Sequence, residues 1–250
     1  MTYILVHGWH ENSTQEEYEL LARNYHALDY FANIILVDYG ELAQAPYVEA
    51  PAIVRRAGAI IGNKIIALIN LGLLHVKRIN VFSHSLGTHV AGKAARLIKD
   101  VLSDRIARIS ASDPAGPLFR APFGLGPLSD SLTKEDADLL DITHTSYIAG
   151  TFEAFGTVDT YVGLIRGRQP ACLGERLTDQ LLFCDHRLAR AYFTESILSC
   201  GFHQNRTGLF RSEVRIIYGE HMPLNASGIF TMQVNAKPPY AQDVNTYPNC

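Results

Sequence analysis

Five short runs rich in apolar and β-branched residues recur along the chain, near 3–7, 33–38, 78–82, 106–112 and 139–144, and predict buried strands. Between them the apolar spacing lengthens to the helical period, predicting helices near 14–27, 50–71, 87–101 and 186–198. In the second helix Val54, Ala57, Ile61, Ile65 and Leu68 share one face, as a helix that covers a sheet requires. Strand and helix alternate, the pattern of a mostly parallel sheet flanked by helices. The tail, 214–234, reads as paired strands. The Pro- and Gly-rich stretch 121–127 reads as a loop.

Composition narrows the class. At 250 residues, 47% hydrophobic and 19% charged, the chain can bury one large core. No repeat or linker divides it, so one domain over 1–250 is expected. A net charge of −3 offers no basic face for nucleic acid. The apolar run at 65–69 is far too short to cross a bilayer, and no transmembrane segment is expected. Four cysteines, Cys172, Cys184, Cys200 and Cys250, fit two disulfides in an oxidising compartment, with three connectivities open. Sequons at Asn12, Asn205 and Asn225 agree with secretion. Residues 1–6 have no basic n-region and are needed as a strand, so a signal peptide is not expected within this chain.

The candidate chemistry begins at Ser83-His84-Ser85-Leu86-Gly87, between the third strand and the third helix. A serine at the tip of a sharp strand-to-helix turn is a nucleophile elbow, with free N–H groups of the helix beside it. Such a serine needs a base to take its proton. Asp113, in Asp113-Pro114-Ala115-Gly116, ends the next strand, and His186 follows in Cys184-Asp185-His186-Arg187 at the opening of the last helix. The order Ser, Asp, His is the one an α/β-hydrolase uses. Asp141 and Asp159 compete with Asp113 for the acid's role. Asp141 reads as a buried structural group in a strand, Asp159 as part of a loop. Upstream, Leu5-Val6-His7-Gly8-Trp9 is a strand ending in a loop that can supply an oxyanion-binding N–H. His7 and Gly8 then fix that loop and allow close backbone approach.

These segments, together with Val37-Asp38-Tyr39-Gly40, Ser112-Asp113-Pro114-Ala115-Gly116-Pro117-Leu118-Phe119, Ile142-Thr143-His144-Thr145, Gln169-Pro170-Ala171-Cys172 and Asn235-Ala236-Lys237-Pro238-Pro239, run in family order along nearly the whole chain. The chain resembles the pancreatic lipase family of secreted animal lipases, and within it the phospholipase A1 branch. The resemblance implies an α/β-hydrolase fold and a serine hydrolase of lipid carboxylic esters. Ser85 would be the nucleophile, His186 the general base and acid, Asp113 the orienting carboxylate, and the N–H groups of Trp9 and Leu86 the oxyanion hole. It implies a Cys172–Cys184 disulfide, which leaves Cys200–Cys250. It also implies a lid between Cys172 and Cys184, where Leu173, Leu177 and Leu181 recur on one face of a short helix.

Departures from the family pattern bear on substrate. Ser83 replaces the first elbow glycine, and Gly156-Thr157-Val158-Asp159 lacks a family histidine, with the loop after it replaced by Thr160 to Ile165. Of the family's acidic calcium cluster only Asp136 aligns, so neither metal nor cofactor is expected. The short lid favours a phospholipase A1; the alternatives are a triacylglycerol lipase and a catalytically silent lipid- or partner-binding relative. The expected partner is a lipid surface, and the oligomeric state stays open. The family carries sequence upstream of this first strand and a C-terminal β-sandwich. The chain reads as lacking the sandwich, and as either shortened at its start or complete without that segment.

Overall fold

A computed structural model describes residues 1–120, 128, 130–163, 168–173, 179–207 and 214–243, with backbone only at 179–182. The elements are β1 (Thr2–Val6), α1 (Glu16–Leu28), β2 (Asn33–Val37), α2 (Gly40–Ala43), α3 (Ala50–Asn70), β3 (Ile79–His84), α4 (Leu86–Leu102), β4 (Ile106–Ser112), β5 (Ala137–His144), β6 (Val158–Val162), α5 (Asp179–Ser196), β7 (His203–Arg206), β8 (Arg215–Ile217) and β9 (Gly228–Met232). They form one nine-stranded sheet in the order β2-β1-β3-β4-β5-β6-β9-β7-β8. The ladder from β2 to β9 is parallel, and β7 runs antiparallel to both β9 and β8.

Both faces of the sheet are covered, which is why its central strands carry apolar residues at successive positions. Side chains alternate sides along a strand. Ile4, Val6, Ile79 and Val81 pack in the cluster under α3 and α4, which includes Val54, Ala57, Val90 and Ala91. Their neighbours Tyr3, Leu5 and Phe82 turn the other way, onto Tyr18 and Tyr25 of α1 and Phe193 of α5. A buried ion pair crosses the sheet interior: Arg108 of β4 donates to both oxygens of Asp141 of β5, at 2.7 and 3.0 Å. Asp141 thus has the structural role expected of it.

The strand order places the site. From β1 the chain goes to β2 on one side, then returns to β3 on the other. The loops leaving the carboxyl ends of β1 and β3 diverge at this switch point, where open α/β sheets form their binding crevice. Those loops carry Trp9 and Ser85.

Three expectations need correction. Residues 158–162 form the interior strand β6, so Asp159 lies on a strand rather than in a loop; its Thr160-Tyr161-Val162 run is β-branched and aromatic, and the departure from the family pattern disguised it. The tail strands β8 and β9 do not pair with each other, because β7 lies between them. His186 does not open its helix: α5 begins at Asp179, as Leu182, Phe183 and Cys184 continue the turn. The 121–127 loop lies outside the described residues.

His89 of α4 ties the core to the loops beyond β4, accepting from Leu132 N–H (3.0 Å) on one ring nitrogen and donating to the Ala115 carbonyl (2.8 Å) with the other. Burial pushes its pKa down to about 3. The unfolded chain therefore binds a proton near pH 6.5 that the folded chain refuses, so stability is present above about 6.5 and is lost as pH falls toward about 3. His89→Gln keeps one donor and one acceptor without the titration. Unfolding free energies measured across this window should fall less steeply for the variant than for the parent; parallel curves would contradict the assignment.

Candidate active site

β3 delivers Ser85 into a turn with φ 54° and ψ −124°, a conformation costly for a residue with a side chain. The turn is held from several directions. Ser85 N–H donates to Ser112 O (3.1 Å), and its carbonyl accepts from Thr88 N–H (3.1 Å), Thr88 Oγ1 (2.7 Å) and Ala115 N–H (3.3 Å). Helix α4 starts so close to the end of β1 that a Cβ on Gly87 would sit 2.2 Å from the His7 carbonyl oxygen. Only glycine fits there. Ser83, where the family pattern has glycine, is buried and its hydroxyl reaches Ser110 O at 3.4 Å.

The loop after β1 is equally fixed. His7 Nε2 accepts from Tyr39 N–H (3.1 Å), so Nδ1 carries the proton and donates to Gly8 O (2.9 Å); the Tyr39 hydroxyl donates to His7 O, and the rings stack at 4.1 Å. Burial holds the His7 pKa below its ordinary value, which suits this neutral tautomer. The peptide is planar and trans, so a Gly8 carbonyl turned to His7 points the Trp9 N–H the opposite way. Trp9 is anchored by its indole N–H on Ala45 O (2.8 Å), and His10, with φ 57°, donates its N–H to Ala43 O (3.1 Å). Among the described residues neither the Trp9 nor the Leu86 N–H has an acceptor.

Asp113, at the end of β4, is fully buried with φ 45°. One oxygen accepts from the Thr145 and Ser146 N–H groups (2.8 and 3.2 Å), the other from the Ser146 hydroxyl (2.6 Å) and from His186 Nδ1 (2.5 Å). With Nδ1 donating, Nε2 of His186 holds a lone pair. His186 and Ser85 line a single cavity of about 640 Å³, together with Trp9 and His84. The rival acids are occupied elsewhere: Asp141 holds Arg108, and Asp159 accepts from His144 (2.9 Å) and from the Phe155 and Gly156 N–H groups. Asp136, the residue aligned with the family's calcium cluster, is paired with Arg96 (2.8 Å).

Cys172 and Cys184 form a disulfide with Cα atoms 6.0 Å apart, as the resemblance implies. Beside it Asp185 accepts from Gln169 N–H (2.8 Å) and Arg168 Nε (2.6 Å), which clamps the stretch leading into Cys172 to α5. Leu173 lies in an exposed turn, not on a helix, because a 3-10 turn at Pro170–Cys172 ends just before it. Leu181 falls in the first turn of α5, and Leu177 lies outside the described residues. Cys200 is buried and disulfide-bonded; Cys250 lies outside the described residues.

Sequence reasoning missed Ser146, which completes the Asp113 cradle, although His144-Thr145 had marked that segment. It also missed Glu11 and Arg190, joined at 2.7 Å beside the cavity across 179 residues of sequence. No local pattern announces such a pair.

The family model for Lipase matches residues 1–212. Among similar proteins, Phospholipase A1 1 of Dolichovespula maculata is 29% identical over 206 residues, covering 77% of this chain and 61% of that protein. Phospholipase A1 1 of Vespa affinis is 29% identical over 264 residues, covering 96% and 74%. Lipoprotein lipase of Gallus gallus is 29% identical over 218 residues, covering 79% and 42%. The chain thus spans about three fifths of the Dolichovespula protein and less than half of the avian one. The family match takes in every strand from β1 to β7, and the chain belongs to the Lipase family.

Proposed function

We propose that the chain hydrolyses carboxylic esters of lipids, and in particular the sn-1 ester of phospholipids, through Ser85, His186 and Asp113. The observation that carries the hydrolase reading is the Asp113–His186 bond, which leaves Nε2 free in the cavity that Ser85 also lines. Nε2 takes the Ser85 proton as the hydroxyl oxygen attacks the ester carbonyl carbon. The carbonyl electrons move onto oxygen, where the N–H groups of Trp9 and Leu86 receive them, each such donor being worth about 3–4 kcal/mol of barrier. The intermediate collapses, the ester C–O bond breaks, and His186 returns the proton to the leaving alcohol. Water, activated by the same nitrogen, then frees the fatty acid from Ser85.

The cavity's mixed lining suits a phospholipid. Tyr47, Pro117, Ile148 and Phe183 offer apolar surface to an acyl chain, and Gln15, Glu16, Glu17 and Arg187 are among its polar residues. Arg187 is exposed, and apart from a long bond to Phe183 O (3.4 Å) it has no partner and no carboxylate among the described residues. That is a cation available to a phosphate, whereas a triacylglycerol carries no anion to pair with it. Ile148 and Phe183, 64% and 40% exposed on the rim, suit contact with a lipid surface. Disulfide-bonded Cys172, Cys184 and Cys200 fit secretion, and among the described residues no helix is long and apolar enough to cross a membrane.

Ser85→Ala should abolish ester hydrolysis with the fold intact, and Asp113→Asn should cut kcat by roughly 10⁴ through the wrong imidazole tautomer. Asp159→Asn should be mild by comparison. A severe Asp159→Asn beside a mild Asp113→Asn would reassign the acid, and retained activity in Ser85→Ala would defeat the mechanism.

Substrate choice has its own test. Arg187→Glu should lower hydrolysis of phosphatidylcholine vesicles relative to a triolein emulsion by about tenfold or more, since a charge-assisted hydrogen bond is worth about 1.5–3 kcal/mol. An unchanged ratio removes Arg187 from recognition. A parent protein that prefers triolein contradicts the phospholipase reading.

A further inference from the structure

Behind the oxyanion loop a second carboxylate, with 13% of its side chain exposed, gathers groups from four parts of the fold. Glu11 Oε2 accepts from Gly8 N–H (2.7 Å) in the loop after β1 and from the Tyr18 hydroxyl (2.6 Å) of α1. Oε1 accepts from Arg190 Nη1 (2.7 Å) of α5 and lies 3.3 Å from His84 Nδ1 at the end of β3. The other end of that His84 ring meets the His186 carbonyl oxygen at 3.2 Å. The carboxylate is packed hard against the loop: a Cβ on Gly8 would stand 3.0 Å from Glu11 Oε2 and 3.1 Å from Ser85 Cβ. Burial works against ionisation of Glu11, but His84 and Arg190 outweigh it and hold the carboxyl well below the usual carboxylate range.

We propose that Glu11 is a positioning residue for ester hydrolysis, fixing the loop that carries the Trp9 N–H against the Ser85 turn and the His186 helix. The proposal rests on the hydrolase reading above. Gly8 is held at both ends, its N–H by Glu11 and its carbonyl by His7. Released at the N–H, the His7–Gly8 peptide loses its hold, and the Gly8–Trp9 peptide that aims the Trp9 N–H is left on the His7 bond alone. Arg190 contributes by anchoring Glu11 from α5 four residues beyond His186; its other carboxylate partner among the described residues, Glu17, is 54% exposed. A carboxylate meets this demand, since the Gly8 N–H, the Tyr18 hydroxyl and Arg190 all donate to it. A glutamine in place of Glu11 would turn its NH₂ toward either Arg190 or the Gly8 and Tyr18 donors.

Glu11→Gln and Glu11→Asp separate charge from reach. Aspartate keeps a negative charge near Arg190 but draws the oxygens back from Gly8 by one methylene. With a soluble short-chain ester, kcat per folded molecule should fall about 10–100-fold in both variants while KM changes less than about threefold, part of the effect of losing one oxyanion donor. Affinity for a trifluoromethyl ketone, whose serine adduct places an oxyanion in the same hole, should weaken by a similar factor. Should Glu11→Gln fail to fold, Glu11→Asp alone decides. A lower melting temperature with kcat per folded molecule within about twofold of the parent would make Glu11 purely structural and overturn the proposal. A parent protein that turns over no ester at all would defeat the hydrolase reading and this proposal with it.

Discussion

A carboxyl group with no exposure to water has to find all its donors inside the protein, and Asp113 finds four: two backbone N–H groups, one hydroxyl and one imidazole. That requirement ties the ends of β4 and β5 to α5. The Thr145 and Ser146 N–H groups reach Asp113 because β5 lies parallel to β4, pairs Thr143 with Ser112 and runs one residue further to His144. His186 reaches it because α5 packs across the sheet on Phe82 and Leu5 through Phe193. The tautomer of His186 is then set by packing, with no contribution from substrate.

The same logic recurs on the other side of the cavity. Glu11 collects donors from the β1 loop, α1 and α5 and lies beside His84 of β3, as Asp113 collects donors from the loop after β5 and from α5. One buried and one partly buried carboxylate therefore hold the segments on either side of Ser85. The strained Ser85 and Asp113 backbones persist because these bonds, and the tight passage of α4 over His7 at Gly87, leave no room for relaxation.

Much of this was legible in the sequence for physical reasons. Strands β1 to β5 and helices α3 and α4 announce themselves because burial on both sheet faces and on one helix face leaves periodic patterns. The Ser85 and Asp113 segments stand out because turns at strand ends need unusual residues, and His186 stands out beside Cys184 in Cys184-Asp185-His186-Arg187. What escaped was long-range or context-dependent. β6 was hidden by polar Asp159 and Thr160, which are buried but satisfied by His144 and Gln204. The apolar spacing from Leu188 to Tyr192 marks a helix from His186, whereas helical backbone extends back to Asp179. Glu11 and Arg190 sit among acidic and basic neighbours that are mostly solvent-facing, and only the tertiary fold singles them out.

The direct measurement is the site of covalent modification by a fluorophosphonate, mapped by mass spectrometry of the digested protein. The geometry predicts one stoichiometric adduct on Ser85, formed rapidly in the parent and orders of magnitude more slowly once His186 is replaced by alanine, because the base that raises the serine's nucleophilicity is then gone. An adduct on a different residue, or a Ser85 adduct that forms equally fast without His186, would contradict a Ser85–His186–Asp113 hydrolase.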